Sequence, residues 1–449
     1  MYLFVQYLVS FYLEKNGVIS YNEKTGGMYM QKKYDLIVVG GGFAGVAAAV
    51  EAAEKGLQVL LVEKYNCLGG AAANCLVMPF MPYSTTDPET GENRILTGNF
   101  FTRVIAELEK LKGTYPGIDR TFDEELLKLV LNRLCLAAGV ELLFNTTVVD
   151  TQVQAGTLVS LRAWGKSRSL ELRADYFVDA TGDAELSVLA GCDYRVGRRE
   201  DGLCQPMTLC FRVAGIDMPK FRENRSRITP LYQQFQKQGL IKNPREDVLL
   251  FKTMHEGILH FNTTRIVKMD PTDPVAVTKA ELEAREQVFE LHTFLKENIP
   301  GFEDSYVLST AMQIGIRESR MVQGEYTLTQ EDLKSLARFD DAIAVANYDI
   351  DIHNPEGSGT SHYYFGKGEW YQIPYRCLLP LGTTNLLVAG RCISSTHEAQ
   401  ASYRIMPFCS ELGQAAGAAV SVAKESGKQL RNIDIQKLQN ILRNEDFLI

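Results

Sequence analysis

YDLIVVGGGFAGVAAAVEAAEKGLQVLLVEK, from Tyr34 to Lys64, is the stretch on which the fold turns. Tyr34–Val39 reads as a buried strand that runs into three glycines. A helix of small residues follows, and LQVLLVE is a second buried strand ending in an acid. Strand, turn, helix and strand within about 30 residues form the repeating unit of a doubly wound parallel sheet. The glycines fall in the spacing Gly40-x-Gly42-x-x-Gly45, with Phe43 and Ala44 opening the helix. The first glycine permits the tight turn, the second admits a pyrophosphate, and the third lets helix and strand pack closely. Behind them, the helix N-terminus presents free N–H groups and about half a positive charge. Glu63, at the tip of the second strand, is placed to accept the hydroxyls of a ribose. The pattern predicts a dinucleotide site and leaves NAD and FAD both open.

Further glycine turns extend this site. Lys64 leads into YNCLGGAAA, so Gly69, Gly70 and Ala71 bring backbone towards the ligand a second time. RSLELRADYFVDATG is a strand that enters another turn at Ala180, Thr181, Gly182 and Asp183. Near the C-terminus, LLVAGR repeats the strand-and-glycine grammar at Gly390 and Arg391.

The rest of the chain is ordinary for a globular protein. Its 449 residues suffice for two or three domains, and 45% hydrophobic with 23% charged residues excludes wholesale disorder. The net charge of −8, without any Lys/Arg run, argues against a nucleic-acid partner. Nine cysteines include no C-x-x-C pair, so no metal or iron–sulfur cluster is signalled, and reduced thiols in a cytoplasmic setting are expected. The apolar start, MYLFVQYLVSFYL, is too short to span a bilayer and lacks the basic start and cleavage site of a secretory signal. Residues 1–32 are read as an extension, disordered or added by an upstream start, with a peripheral membrane contact as the alternative. Membrane association is otherwise not expected, and homo-oligomerisation is left open.

Along the chain, residues 33–194 are expected to form the first part of a dinucleotide-binding domain. It holds amphipathic helices near 100–111 and 122–138, a strand in GVELLFNTTVVD, and two strands paired across Gly165 and Lys166. Residues 195–372 read as an inserted α+β substrate domain, with long loops and a charged helix over 275–298. Residues 373–449 return to the first domain and end in helices, one starting near Pro407. Gly413 and Gly417 in that helix are expected to let it lie close to the sheet.

The Gly-Gly after the acid and the strand VDATG resemble the two-dinucleotide-binding-domain flavoproteins. A narrower likeness rests on IGIRESRMVQGEYTLTQEDL, IDIHNPEG, IPYRCLLP and LLVAGRCISSTHEAQASYRIMPFCSELGQAAG. Together these resemble a family of bacterial FAD-dependent oxidoreductases distantly akin to fumarate reductase flavoproteins, from about Tyr34 to Ala423. The resemblance implies noncovalent FAD in an extended pose with a substrate domain inserted in the flavin domain. It assigns cofactor contacts to Gly40, Gly42, Phe43, Ala44, Gly45, Glu63, Lys64, Gly69, Gly70, Ala71, Val148, Ala180, Thr181, Gly182, Asp183, Gly390 and Arg391. Only one glycine fingerprint is present, because GSGTSH at Gly357 is too polar on both sides. Reduction and reoxidation of the flavin would therefore share one face or use a diffusible or partner acceptor. A histidyl flavin link is excluded where Asn66, Cys67 and Leu68 stand, with a cysteinyl link through Cys67 as the alternative. Many relatives place an Asp where this chain has Arg391, and the resemblance does not explain the arginine.

The helix near Pro407 would aim its positive end at the flavin pyrimidine edge, worth about 1 kcal/mol or roughly 20 mV for a two-electron couple. Hydride exchange with the flavin needs a group to carry the accompanying proton. His397, with Glu398 beside it, is the first candidate. Arg404 would bind the flavin O2 edge or a substrate carboxylate, and Arg376 would reach the same cavity. His353 with Asp351, and His362 with Tyr363, are candidates from the substrate domain. Arg317, Glu318 and Arg320 read as a supporting ion-pair network, and His255, His260 and His292 as structural. The expected activity is an FAD-dependent oxidoreductase acting on a small polar metabolite at a CH–OH or CH–CH centre. The alternatives are a flavoprotein subunit that passes electrons to a protein partner, and a flavin-binding module without turnover.

Overall fold

The computed structural model describes residues 33–117 and 120–449, with the backbone of two short paired strands, Ser20–Asn22 and Gly27–Tyr29. Apart from those strands, the reading of residues 1–32 lies outside the described residues. Strand β1 (Lys33–Val39) leads through the glycine turn into helix α1 (Phe43–Glu54) and then strand β2 (Val59–Val62). Helix α2 (Asn99–Lys110) precedes α3 (Glu124–Ala138), which starts where Asp123 accepts the N–H groups of Glu125 and Leu126. It stops at Gly139, whose φ of 86° suits the left-handed cap that glycine takes at least cost. Strands β3 (Glu141–Leu143), β4 (Thr147–Gln154), β5 (Thr157–Gly165) and β6 (Arg168–Asp179) complete the first segment.

The chain then makes its excursion through β7 (Phe211–Ala214), β8 (Leu250–Lys252) and β9 (Leu259–Phe261). Helix α4 (Pro274–Asn298) begins with Asp273 capping Val275 and Ala276 and Pro274 in its first turn. Strand β10 (Tyr306–Thr310) follows, then β11 (Ala342–Ala346), β12 (Ile350–His353), β13 (Thr360–Tyr363) and β14 (Tyr371–Pro374). Strand β15 (Leu386–Val388) returns to the first sheet before helices α5 (His397–Tyr403) and α6 (Met406–Ser426).

The main sheet runs β3–β2–β1–β6–β5–β4, and β15 pairs in parallel with the end of β6. Strand β6 serves two sheets. Its first residues pair antiparallel with β5, while Phe177 lies between Ile37 of β1 and Leu386 of β15. Five parallel strands (β3, β2, β1, β6 and β15) therefore end on one edge; β2, β15 and the ends of β1 and β6 are buried on both faces, as such sheets require, while the edge strand β3 is half-buried. The stretch GVELLFNTTVVD, expected as one strand, divides into β3 and β4. Asn145 takes a positive φ of 53°, and the N–H groups of Asn145 and Thr146 donate to the carbonyls of Tyr65 and Glu63. The break holds the loop after β2 in place.

Residues Met207 to Ile316, with Leu76, form a second apolar core around the antiparallel sheet β8–β9–β7–β10. Phe211 and Phe261 stack there at 4.9 Å between ring centroids. Side chains from Val322 to Ile373 pack into the first core instead, so the span 195–372 is shared between two cores. Gly357–Gly359 joins the hairpin of β12 and β13 rather than a strand–turn–helix. Among the described residues no helix is long and apolar enough to cross a membrane.

Candidate functional site

The turns after β1, β2, β6 and β15 meet around one cavity of about 760 Å³, a size usual for cofactor sites. It lies outside the carboxyl ends of the parallel strands, where the strand order reverses, as ligand sites in open α/β sheets do. The loop geometry explains the glycines. A Cβ on Gly45 would sit 1.8 Å from the Gly40 carbonyl oxygen, so this residue fastens helix α1 to its own turn and does not line the cavity. A Cβ on Gly70 would sit 2.8 Å from Gly42 Cα, and the Gly69 N–H donates to the Gly41 carbonyl at 2.8 Å. The two glycine turns thus brace each other and leave their backbones facing the same space.

The electrostatics favour an anionic ligand. Helix α6 packs on α1 with Gly413 against Ala44 and Gly417 against Ala48, so the two helices run parallel. Phe43 and Ala44 at the start of one, and Met406 and Cys409 at the start of the other, line the cavity. Two positive helix ends side by side repel each other, and an anion between them relieves that repulsion. Among the described residues, buried side-chain N–H donors on four lining residues have no protein partner: Asn74 Nδ2, Arg320 Nε, Arg391 Nε and Arg404 Nε. Glu63 closes the far side. Its Oε2 accepts the Gly41 N–H at 2.5 Å and its Oε1 the Tyr65 N–H at 2.8 Å. Burial raises its pKa, against the opposing pull of those N–H groups. Phosphates over the glycine turns, a ribose at Glu63 and acceptor groups of a flavin along the donors all fit these walls.

Arg391 has a definite partner. Its Nη2 lies 2.5 Å from Asp183 Oδ1, which also accepts the Ser319 hydroxyl at 2.6 Å. Burial pushes the Asp183 carboxyl up, but Arg391, Ser319 and Lys64 together hold it below the usual carboxylate range. Arg391 and Asp183 thereby tie the turn after β15 to the turn after β6.

Of the expected cofactor residues, Gly40, Gly42, Phe43, Ala44, Glu63, Lys64, Gly69, Gly70, Ala71, Val148, Ala180, Thr181, Gly182, Asp183, Gly390 and Arg391 line the cavity; Arg404 lines it too. The other candidates lie elsewhere. Arg376, expected at the cavity, is exposed. It forms a two-pronged pair with Asp341 and lies over the Tyr326 ring, because its short helical turn buries Tyr375, Cys377 and Leu378 and leaves Arg376 on the outer side. Arg376→Ala is accordingly expected to cost no more than about 1 kcal/mol and to leave FAD content unchanged, read by melting and by the flavin-to-protein ratio. His353 is buried behind the wall, between Arg265 and Thr360, with Asp351 at 3.4 Å from its Nε2. Burial, with Arg317 acting in the same direction, pushes its pKa down to about 3, so the ring is neutral. His362 pairs with Asp349 at 2.6 Å on the outer hairpin. Cys67 donates to Asn74 Oδ1 at 3.2 Å and lies off the cavity.

His397 also lies behind the wall, with Nδ1 2.8 Å from Oε1 of the fully buried Glu318; Glu398, on the same helix, is off the cavity too. Glu318 Oε2 in turn accepts the Gln205 N–H, and Gln400 donates to the Arg317 carbonyl. The pair therefore anchors the segment that carries Ile316 and Arg320 to the cavity. Burial alone would lower the His397 pKa, but the hydrogen bond and charge of Glu318 raise it. The folded state then holds the proton more tightly than the unfolded chain, whose histidine titrates near 6.5. The pair's contribution is complete below about pH 6.5 and fades as pH rises through the higher folded value. His397→Gln is expected to lose about 1.5–3 kcal/mol at pH 6 and to lose less at pH 9, measured by denaturant unfolding.

Several residues escaped the sequence reading. Asn74, Cys75, Gln313 and Cys409 line the cavity. Asp179, fully buried at the end of β6, shapes the next turn by accepting from Thr181 through one oxygen and from Ser187 through the other. An acid ending an apolar strand immediately before ATG was the available signal.

Comparison with known proteins places this arrangement. Over 164 residues the chain is 36% identical to the thiamine thiazole synthase of Aeropyrum pernix, covering 33% of this chain and 54% of that protein. Over 198 residues it is 26% identical to digeranylgeranylglycerophospholipid reductase 1 of Methanococcoides burtonii, covering 42% and 47%. The chain spans about half the length of these curated relatives. Among solved structures, a geranylgeranyl bacteriochlorophyll reductase-like protein from Thermoplasma acidophilum aligns over 93% of this chain and 84% of its own, with a TM-score of 0.44 and 14% identity. The sequence model of FAD dependent oxidoreductases matches residues 35–442, nearly the whole chain, which therefore belongs to that family and is an enzyme with FAD as its cofactor.

Proposed function

We propose that this enzyme exchanges a hydride between FAD and a small polar metabolite at a CH–OH or CH–CH centre. The observation that carries the reading is that one cavity is shared by the glycine turns and by the second unit. Thr272, Val277, Gln313, Ile314 and Ile316 face the same space as Gly42, Gly70 and Gly390. FAD, when bound, supplies the two-electron acceptor or donor. In the oxidative direction the substrate carbon gives up a hydride to that acceptor and the adjacent oxygen or carbon releases its proton to solvent.

The chain's own residues bind, orient and exclude water. Glu63 and the turns at Gly42 and Gly70 hold the dinucleotide end, and Arg391 with Asp183 fixes the turn opposite. Arg404 and the start of α6 lie where negative charge is favoured, while the apolar Ile314, Ile316 and Val277 limit water. His397, held by Glu318, positions this wall and does not touch the reacting atoms.

The test is anaerobic bleaching of the FAD-loaded protein with a panel of hydroxy acids, unsaturated acids, polyols and sugars. Loss of the flavin absorbance with at least one of them is expected. A protein that retains FAD, is reduced by dithionite and is bleached by none of the panel would overturn the reading.

A further inference from the structure

Four cations line the cavity, and three of them are matched by a carboxylate: Lys64 by Glu185 at 2.9 Å, Arg391 by Asp183 at 2.5 Å, and Arg404 by Asp351 at 3.4 Å. Arg320 is the fourth. Its Nη1 donates to the Asp183 backbone carbonyl at 3.2 Å, and its guanidinium lies 5.4 Å from the centre of the Tyr194 ring. Among the described residues it makes no ion pair, and its Nε is buried without a protein partner. The Asp183 carboxylate is engaged elsewhere, by Arg391 and the Ser319 hydroxyl.

Arg320 is held where the glycine turns come together. It opens a short strand, Arg320–Val322, that pairs antiparallel with Tyr194–Val196. At the other end of that strand the Val322 N–H donates to the Cys392 carbonyl, in the turn after β15, at 3.0 Å. The bond to the Asp183 carbonyl fixes Arg320 against the turn after β6. That turn abuts the first glycine turn, because a Cβ on Gly40 would sit 2.5 Å from the Ala180 carbonyl oxygen. Arg320 therefore lines the cavity where the turns after β1, β6 and β15 converge, the place the glycine spacing keeps open for a pyrophosphate. A diphosphate diester carries two negative charges, and the starts of α1 and α6 offer about half a positive charge each. The remainder falls to a side-chain cation, and Arg320 is the one whose charge no carboxylate takes up. The planar fork of its guanidinium suits phosphate oxygens.

We propose that Arg320 binds the pyrophosphate of FAD, where the sequence reading gave it only a supporting role beside Arg317 and Glu318. It lies on the stretch that joins Ile316, packed on the second core, to Val322 in the first. The charge of the cofactor thus ties the inserted unit to the glycine turns. The inference concerns cofactor binding and is independent of the hydride-exchange reading. In its test the holoenzyme is diluted serially and the released FAD is read by its fluorescence. ADP and adenosine are then compared for how well they displace FAD, and melting temperature checks the fold. ADP is expected to displace FAD from the wild-type protein better than adenosine does. Arg320→Gln is expected to weaken FAD binding about tenfold or more and ADP by a like factor, with adenosine unchanged, because only the diphosphate meets the guanidinium. Should Arg320→Gln fail to fold, Arg320→Lys, which keeps the charge and loses the fork, must weaken FAD and ADP about threefold or more.

An ADP no better than adenosine against the wild-type protein would overturn the proposal. So would undiminished FAD binding in the variant that folds. Adenosine weakened as much as ADP would also overturn it, since Arg320 would then be a support of the wall and no phosphate ligand. The expected losses in a protein that no substrate bleaches would keep the pyrophosphate contact and remove the hydride-exchange reading. Bleaching with undiminished FAD binding in the variant would do the reverse.

Discussion

Gly413→Val is expected to destabilise the protein by at least about 4 kcal/mol and to abolish FAD retention. A Cβ at this position would lie 2.0 Å from the Ala44 carbonyl oxygen and 2.7 Å from Ala44 Cα, so the obstacle is backbone and no rotamer change removes it. Ordinary overpacking costs about 1–3 kcal/mol because neighbouring side chains shift. Here the neighbour is the second residue of α1, which is fixed by the glycine turn and the sheet beneath it. Separating α6 from α1 would also withdraw Met406 and Cys409 from the cavity, so binding fails together with stability. Gly427→Ala is the control: nothing lies within 4 Å of its Cβ, and only its φ of 65° opposes the change. It should cost about 1 kcal/mol and leave FAD bound. Denaturant unfolding and the flavin-to-protein ratio read both variants; a Gly413→Val protein that keeps its flavin would refute the helix-contact argument.

The same glycine shows how far the sequence could be read. Gly413 and Gly417, four residues apart among alanines, signal close packing wherever their helix lies. Their partner, however, is α1 and not the sheet, and that choice depends on β15 joining the far side of β6. The site's opening half was legible because a tight turn, a close backbone approach and a ribose acceptor each demand a particular residue type at a fixed spacing. The same reasoning found Gly390, where a strand must stop and turn. It failed where position depends on which way a loop faces. Arg376 and Arg404 each follow a tyrosine beside apolar residues, yet one pairs with Asp341 at the surface and the other lines the cavity. His397 carries the residue type expected of a proton carrier, but a helix cap at Thr396 turns its ring towards Glu318. No local pattern announces a partner 79 residues away.

Arg391 is the clearest case of a residue whose meaning lies across the fold, and its replacement carries the second large effect. Arg391→Leu is expected to cost about 3–5 kcal/mol, because it leaves the Asp183 carboxylate in a largely buried turn without its cation. The pH dependence should change in a specific way. The Asp183 pKa is held below its unfolded value, so its contribution is complete above about pH 4 and is lost as pH falls through the lower folded value. Without Arg391, burial dominates, the folded pKa rises, and acid destabilisation should begin at a higher pH. The double variant Asp183→Asn with Arg391→Leu removes the stranded charge and should recover at least half of the lost stability. It should not recover FAD affinity, because the positive charge facing the cavity is still missing; a weakening of at least tenfold is expected in both variants. Stability and cofactor binding thus part company in the double variant, which a merely structural ion pair would not allow. If FAD affinity returned together with stability, Arg391 would be a tie between two turns and nothing more.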